Sequence, residues 1–202
     1  MRDAINQTAR RIPTWSLYTA GALLACWLIW QAGSGALGPD PVKALEHAFG
    51  EKGLQLLIAS LCVTPLRWAG INLLKFRRAL GLLGAAFVAL HFATWVTLDM
   101  GLRGSEILND LFKRPYIVIG FLGFLLLIPL VATSNTRAIK KLGSAAWNRL
   151  HWLAYPAILA GAVHFVMIGK VYTLESGLYL AAVVGLLLAR RLKARKKVLQ
   201  TA

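Results

Sequence analysis

The chain has 202 residues, 57% of them hydrophobic, with a mean hydropathy of +0.60 and a formal net charge of +15. This apolar composition excludes a soluble domain of this size and indicates an integral membrane protein. The charge raises the question of nucleic-acid binding, but the basic residues cluster beside apolar stretches, where anionic lipid headgroups are their natural counterions. We therefore expect membrane lipid as a partner and no nucleic acid.

Six apolar stretches follow one another along the chain, and most approach the roughly 20 residues that a membrane-spanning helix needs. The second carries charged residues near its start, between Glu46 and Lys52, and the sixth is short. The first has the basic flank of a signal peptide, but its length and three tryptophans favour a retained helix. We predict an all-α fold, one domain over residues 1–202 with six transmembrane helices at about 15–32, 45–66, 79–99, 116–134, 152–168 and 177–189.

The loops on the two sides of the membrane differ in charge. When the loops are assigned alternately to the two sides, one side holds 17 basic residues and one acid, and the other holds 6 basic residues and 7 acids. Because basic loops stay in the cytoplasm, both termini are predicted to be cytoplasmic. The basic side comprises segments 2–11, 67–78, 137–149 and 190–197.

Segment 101–115, on the outer side, combines charged residues with a short apolar pattern. We expect an interfacial helix there, which either docks an external partner or lies on the lipid headgroups. Cys26 and Cys62 both fall inside predicted spans and form no CxxC pair. We expect them to be buried structural thiols rather than points of covalent cofactor attachment or zinc ligands.

Two histidines, His91 and His164, lie inside the third and fifth stretches, which run in the same direction across the membrane. Each lies 13 residues beyond the basic loop before its helix, counted from Arg78 and from His151, or roughly 20 Å at about 1.5 Å per residue. Both imidazoles are therefore expected about two-thirds of the way across a core about 30 Å thick. Ionisable side chains at that depth mark function, and two facing imidazoles are natural axial ligands for a heme iron. Electron transfer through the membrane is the leading interpretation.

His151 lies at the inner end of the fifth stretch and is either a ligand of a second, inner heme or an interfacial histidine. An ideal helix places His151 and His164 about 140° apart, and a kink or wide turn at Pro156 can shift that phase. The matching position on the third stretch is Arg77 or Arg78 instead of a histidine. These arginines suit heme propionates or a flavin phosphate, since a guanidinium group pairs well with such anions.

A family resemblance is carried by five segments in fixed order: LCVTPLR at 61–67, ALHFATW at 89–95, ILNDLFKRPYIVIGF at 107–121, LLIPLVATS at 126–134 and WNRLHWLAYPA at 147–157. They resemble the ferric-reductase-like transmembrane superfamily. Within it, the chain closely resembles the heme-binding membrane subunit of the bacterial protein-methionine-sulfoxide reductase system, the MsrQ family. The segments cover most of the second to fifth stretches.

The resemblance implies a b-type cytochrome of the bacterial inner membrane that passes electrons to a periplasmic molybdopterin-containing catalytic subunit. That partner would reduce methionine sulfoxide in oxidised periplasmic proteins, so this chain would be the electron-transfer subunit of an oxidoreductase. The implied cofactors are heme b, one or two per chain, with iron held by His91, His164 and His151, and FMN. The implied electron donors are the quinone pool or a cytosolic flavin reductase. The third stretch lacks the inner histidine of the wider superfamily, so the axial ligand opposite His151 is left open.

Two alternative functions fit the same sequence. A stand-alone ferric reductase would reduce metal chelates directly at the outer heme, although we see no soluble FAD- and NADPH-binding domain in the chain. A transporter that uses the histidines as a proton relay would bind no heme. The interiors of the predicted spans lack the acids that such relays use.

Overall fold

The computed structural model describes residues 2–169 and 173–199, with side chains described up to residue 194 in the last helix. Within these ranges the chain is helical and has no β-strand. The helices are α1 (Arg2–Arg11), α2 (Trp15–Gly33), α3 (Pro41–Trp68), α4 (Leu74–Thr94), α5 (Gly104–Lys113), α6 (Pro115–Ala132), α7 (Thr136–Leu142), α8 (Ser144–Leu150), α9 (Ala154–Ile168) and α10 (Leu174–Leu199).

All six apolar stretches are helical, in α2, α3, α4, α6, α9 and α10. By length and apolar composition, three segments of the described residues are able to cross a membrane: Leu74–Asp99, Pro115–Ala132 and Ser144–Ile168. A fourth candidate joins α1 to α2, which are bent by 78° at their junction. The chain is therefore an all-helical membrane protein with three or four candidate spans among the described residues.

The long helix α3 differs from these candidates because charged residues lie along its first half. It has 28 residues, or about 42 Å of helix at about 1.5 Å per residue, which exceeds the thickness of a bilayer core. Several of its polar groups are paired: the Gln55 amide donates to Glu51 at 2.7 Å and contacts the Tyr179 hydroxyl of α10 at 2.6 Å. Such pairing removes most of the cost of placing polar side chains inside a bundle.

The bundle is organised around two helix pairs. α3 and α4 form the most extensive pair, α6 and α9 form the second, and α10 packs on α9 and α3. Helix packing in lipid depends on close approach at small residues, and Gly53 and Gly84 provide it between α3 and α4. A Cβ at Gly53 would lie 3.1 Å from the backbone nitrogen of Val88 and 3.2 Å from the carbonyl oxygen of Gly84.

The amphipathic helix α1 lies against the loop between α3 and α4. The Asn6 side chain donates to the carbonyl oxygen of Gly70 at 2.9 Å and accepts from the backbone N–H of Asn72 at 2.8 Å. The Lys75 ammonium donates to the carbonyl oxygen of Ile12 at 2.6 Å. These bonds hold α1 across the end of the bundle at which α3 ends and α4 begins.

Segment 101–115 contains the predicted short helix, α5. The side chains of Leu108 and Phe112, one turn apart on α5, are 57% and 86% exposed. An outward apolar face is what an interfacial helix presents to the headgroup region. Whether it also docks a partner stays a prediction.

The helix that carries His164 does not continue unbroken to His151. A 3-10 turn, His151–Leu153, precedes α9, and Pro156 lies in the first turn of α9. Proline is tolerated there because its missing N–H is not needed by the helix. The expectation of buried cysteines is wrong for Cys26, which is exposed on α2, while Cys62 is half-buried.

Candidate functional site

His91 lies in the last turn of α4, and its ring is held by the neighbouring helix α3. Its Nδ1 lies 2.8 Å from the carbonyl oxygen of Glu46. A carbonyl oxygen can only accept a hydrogen bond, so Nδ1 carries the proton and donates. In the neutral ring Nε2 then keeps a free lone pair, which is the form of imidazole that binds a metal ion.

His164 on α9 is held in the same way by α6. Its Nδ1 lies 2.7 Å from the carbonyl oxygen of Tyr116, in the first turn of α6. By the same reasoning Nδ1 donates and Nε2 is left free. The fold therefore fixes both histidines in one tautomer through backbone acceptors, the kind of outer hydrogen bond that orients metal-binding histidines.

The two rings face each other across the bundle. Their centroids are 6.1 Å apart and their planes make an angle of 72°. Imidazole–metal bonds are about 2.0–2.1 Å long and a ring nitrogen lies roughly 1.2 Å from its ring centre, so two imidazoles on opposite sides of one metal ion have centres roughly 6.4 Å apart. The observed spacing fits one metal ion held by both rings.

A cavity of about 180 Å³ surrounds this pair and is walled by α3, α4, α6 and α9. Its apolar wall is rich in aromatic rings: Phe92, next to His91, stacks on Phe124 with centroids 4.8 Å apart and on Phe121 at 5.7 Å. Such a wall excludes water and suits a flat, largely apolar ligand. The π-helical turn Trp95–Asp99 directly follows α4 and adds Trp95 to the same wall.

One end of the cavity is polar and carries charges of both signs. Lys43 at the start of α3 pairs with Asp99 at the end of the π-helical turn, with Nζ and Oδ2 2.7 Å apart. Arg114 pairs with Asp110 at 3.4 Å. Glu46 Oε2 is buried with no hydrogen-bond partner. These groups form a polar mouth at the same end of the bundle as the two imidazoles.

The protein offers two metal ligands here rather than a complete set. In the described part of the chain, no group of three or more His, Cys, Asp or Glu side chains is placed to hold a metal ion. A pair of opposed imidazoles is instead the ligand set of a metal whose remaining positions are filled by a planar macrocycle. The pair, its spacing and its apolar walls thus fit a heme better than a bare cation.

His151 does not join this pair. It lies in the 3-10 turn, stacked on the Trp147 indole with centroids 3.7 Å apart, and its Nε2 is 3.1 Å from the Thr133 hydroxyl. That hydroxyl donates its single proton to the carbonyl oxygen of Pro129 at 2.6 Å. The hydroxyl must therefore accept from His151, so Nε2 carries the proton and is occupied. In this arrangement the ring is not poised to bind iron through Nε2.

The two arginines of the predicted inner site have different surroundings. Both side chains are exposed. The Arg78 guanidinium donates through Nε and Nη2 to the carbonyl oxygen of Ser134, and the Nε distance is 2.8 Å. The carbonyl oxygen of Arg77 accepts from the Ser60 hydroxyl at 3.2 Å. Arg78 thus ties the start of α4 to the end of α6, while the Arg77 side chain is placed at the surface.

Some residues of the site were not found from the sequence. Glu46 and Tyr116 act through their backbone carbonyls, and Thr133 acts on His151 through its hydroxyl. Gly50 and Gly120 lie beside the two imidazoles, with an added Cβ 3.0 Å and 2.7 Å from the respective Nδ1. Glycine inside an apolar helix was the one available signal, and it does not say which neighbour approaches.

Comparison with known proteins assigns the chain to a family. Residues 49–162 match the family described as "Ferric reductase like transmembrane component". Proteins of Brucella ovis, Brucella canis and Brucella suis, each named protein-methionine-sulfoxide reductase heme-binding subunit MsrQ, are 48% identical to the chain over 177 residues, which is 87% of this chain and 80% of each relative.

No solved structure matches the chain significantly. The matched residues 49–162 include His91 and His151, while the broader likeness to the relatives extends over most of the chain. The chain therefore belongs to the ferric reductase like transmembrane family and, within it, to the MsrQ family of heme-binding subunits.

Proposed function

We propose that this chain is the b-type cytochrome subunit of a methionine-sulfoxide reductase system. It carries electrons across the bacterial inner membrane to a periplasmic molybdopterin-containing subunit, which repairs oxidised periplasmic proteins. The observation that supports this best is the pair of imidazoles, 6.1 Å apart and each bonded through Nδ1 to a backbone carbonyl. The names of the relatives, which describe heme-binding subunits, support the same cofactor.

Heme b bound between His91 and His164 supplies a one-electron couple, and the chain supplies its ligands, orientation and dry surroundings. Both histidines would bind the iron, which would favour electron transfer over reaction with oxygen. The carbonyl oxygens of Glu46 and Tyr116 keep each Nδ1–H donating, so that each Nε2 would be free to bind the metal. Phe92, Phe121 and Phe124 line the cavity and keep water from it.

The proposed topology has six spans with both termini cytoplasmic, in one domain over residues 1–202. Its support is the charge difference between the two sets of loops. With this orientation, the His91–His164 pair lies near the periplasmic face and His151 near the cytoplasmic face. Electrons then leave at the outer side, where the partner subunit acts and where loop charge is nearly balanced.

The electron donor is proposed to be the quinone pool or a cytosolic flavin reductase, with FMN as an associated cofactor. Arg77 and Arg78 at the basic inner face suit the phosphate of a flavin or the carboxylates of a heme. A second heme bound through Nε2 of His151 would require the contact between His151 and Thr133 to open, because that contact occupies Nε2. The proposal allows one heme or two per chain, and the pyridine hemochrome assay counts them.

The decisive experiment measures heme in the detergent-purified protein. Absorption spectra are recorded oxidised and dithionite-reduced, with a pyridine hemochrome assay, on the wild type and on His91→Ala and His164→Ala. We expect a low-spin b-type spectrum that both substitutions abolish, because each removes one axial ligand. His47→Ala is the matched control, since His47 also borders the cavity but forms no pair with the two rings.

A colourless wild type, produced with ample heme, contradicts the cytochrome and favours the proton-relay transporter. A wild-type spectrum that persists in both single variants contradicts the assigned ligands. To separate the proposal from a stand-alone metal-chelate reductase, the heme-loaded protein is reduced and offered either the partner subunit or a ferric chelate. Rapid oxidation by the partner alone is the expected result.

A further inference from the structure

The two helix pairs of the bundle repeat one arrangement around their histidines. In α3 and α4, the carbonyl of Glu46 binds His91, and Gly50 follows that carbonyl by four residues. In α6 and α9, the carbonyl of Tyr116 binds His164, and Gly120 follows by four residues. An added Cβ at Gly50 or Gly120 would lie 3.0 Å or 2.7 Å from Nδ1 of the respective histidine.

The repeat continues one turn further along each pair. An added Cβ at Gly53 would lie 3.1 Å from the backbone nitrogen of Val88 and 3.2 Å from the carbonyl oxygen of Gly84. These residues precede His91 by three and seven positions. The backbones of the two helices are therefore in close contact one to two turns before the histidine.

The second pair shows the same contacts at the same offsets. An added Cβ at Gly123 would lie 3.2 Å from the carbonyl oxygen of Ala157 and 3.6 Å from the backbone nitrogen of Gly161. These residues precede His164 by seven and three positions. Because Gly53 and Gly123 each follow the first glycine by three residues, both pairs carry the spacing Gly-x-x-Gly in matching places.

We propose that Gly50 and Gly120 are the positioning residues of the histidine pair: each opens the place beside a helical carbonyl into which the facing imidazole fits. This inference rests on the proposed function, because the positioned rings are the proposed heme ligands. The α3–α4 and α6–α9 pairs then form two copies of one histidine-holding unit, with the same residue offsets in each.

The physical reason lies in the geometry of the helical carbonyl. Its oxygen has two lone pairs, and the helix uses one of them for the N–H four residues later. The other lone pair is reached from the side, past the side chain of that same later residue. With glycine there, an imidazole N–H can approach to hydrogen-bond distance. A methyl group there collides with Nδ1, most severely at Gly120, where 2.7 Å is shorter than real Cβ contacts allow.

The test compares Gly120→Ala and Gly50→Ala with two matched glycine-to-alanine controls, Gly81→Ala and Gly185→Ala. An added Cβ at Gly81 meets only the Ser60 hydroxyl, at 3.7 Å, and at Gly185 it meets nothing within 4 Å. Heme per chain, the low-spin electron paramagnetic resonance signal and the midpoint potential are measured on each protein. We expect roughly tenfold weaker heme retention in Gly120→Ala, since loss of such outer hydrogen bonds typically costs 10–100-fold.

Gly50→Ala should keep more heme than Gly120→Ala but shift the resonance signal and the potential, because the longer contact of 3.0 Å needs only a small movement of the ring. Both controls should match the wild type. A Gly120→Ala protein with wild-type heme content, resonance signal and potential would overturn the proposal.

A double-substitution cycle gives a readout that needs no heme. Recovery of monodisperse protein and its melting temperature in detergent are compared for Gly120→Ala in the wild-type and in the His164→Ala background. If the added methyl group acts by colliding with the imidazole, it lowers the recovery and the melting temperature only when His164 is present. Equal harm in both backgrounds overturns the proposal, including the case in which Gly120→Ala alone is not recovered.

The cycle also separates this inference from the proposed function. A heme-free wild type with clear coupling between Gly120 and His164 refutes the cytochrome but keeps the positioning role. A heme-loaded wild type that loses its spectrum in His164→Ala, with no such coupling, refutes the positioning role alone.

Discussion

The histidines at the two ends of the bundle are held by opposite ring nitrogens. At one end, His91 and His164 each donate from Nδ1 to a backbone carbonyl of a neighbouring helix. At the other end, His151 donates from Nε2 to the Thr133 hydroxyl and stacks on Trp147. The first arrangement leaves Nε2 free on two facing rings, and the second occupies Nε2 on a single ring.

A histidine's capacity to bind a metal ion thus depends on the hydrogen bonds that its two ring nitrogens make. A backbone carbonyl can only accept, so it fixes the tautomer permanently. A hydroxyl can accept or donate, so the tautomer of His151 depends on whether Thr133 keeps its bond to Pro129. His91 and His164 are therefore held in the tautomer that leaves Nε2 free for a metal ion. The tautomer of His151 depends instead on a hydrogen bond of Thr133 that can change.

The largest expected effect separates the two ends by function. In proteoliposomes with a reductant inside and an electron acceptor outside, His91→Ala or His164→Ala should reduce electron transfer to the background of empty liposomes, because each removes one of the two proposed heme ligands. His151→Ala should retain the low-spin spectrum of the pair. If His151→Ala removes that spectrum while His164→Ala keeps it, the assignment of the heme to His91 and His164 is contradicted.

A smaller effect is expected from Thr133→Val, which removes the acceptor of the His151 Nε2–H. The contact is only partly buried, and a hydrogen bond of this kind contributes about 0.5–1.5 kcal/mol, so the melting temperature in detergent should fall modestly while the spectrum of the His91–His164 pair is unchanged. Thr97→Val is the control, since the Thr97 hydroxyl is exposed and bonds only to the carbonyl of Ala93 in its own helix. Equal decreases in melting temperature for the two variants would show that the contact between Thr133 and His151 contributes no additional stability.

Next in size is Arg78→Gln at the same end as His151. Loss of the guanidinium contact to the carbonyl of Ser134 should cost about 1 kcal/mol, because the bond is exposed and water replaces it. The measurement is again the melting temperature, with Arg11→Gln as an exposed arginine of the same basic side. A change in the spectrum of the His91–His164 pair would be unexpected, since Arg78 does not border that cavity.

The smallest effect is expected at the polar mouth beside the paired histidines. The Lys43–Asp99 ion pair has a half-exposed lysine, and such pairs contribute roughly 0.2–1 kcal/mol. A double-substitution cycle of Lys43→Ala and Asp99→Ala measures the coupling, which should weaken as salt is added. A coupling above this range would show that the mouth contributes more to holding α3 against α4 than its exposure suggests.

The order of residues alone predicts the helices and the closeness of His91 to His164. All six apolar stretches are helical, because hydropathy and helical rise are local properties that can be read directly from the residue order. Equal spacing of 13 residues from the basic loops predicts that His91 and His164 lie at one level of the bundle, and their rings are 6.1 Å apart. The phase of His151 was not predictable in this way, because the 3-10 turn at His151–Leu153 interrupts the helix.

Which ring nitrogen of each histidine is free depends on contacts with other helices, and these are known only from the tertiary structure. The acceptors of His91 and His164 lie 45 and 48 residues away in sequence, on other helices. They are backbone carbonyls, which every residue has, so no side-chain pattern marks them. The proposed roles of Gly50 and Gly120 could not be predicted for the same reason. The space beside a glycine has a function here only because a neighbouring helix places an imidazole in it. Contact across helices is set by packing, and packing is not a property of any one segment.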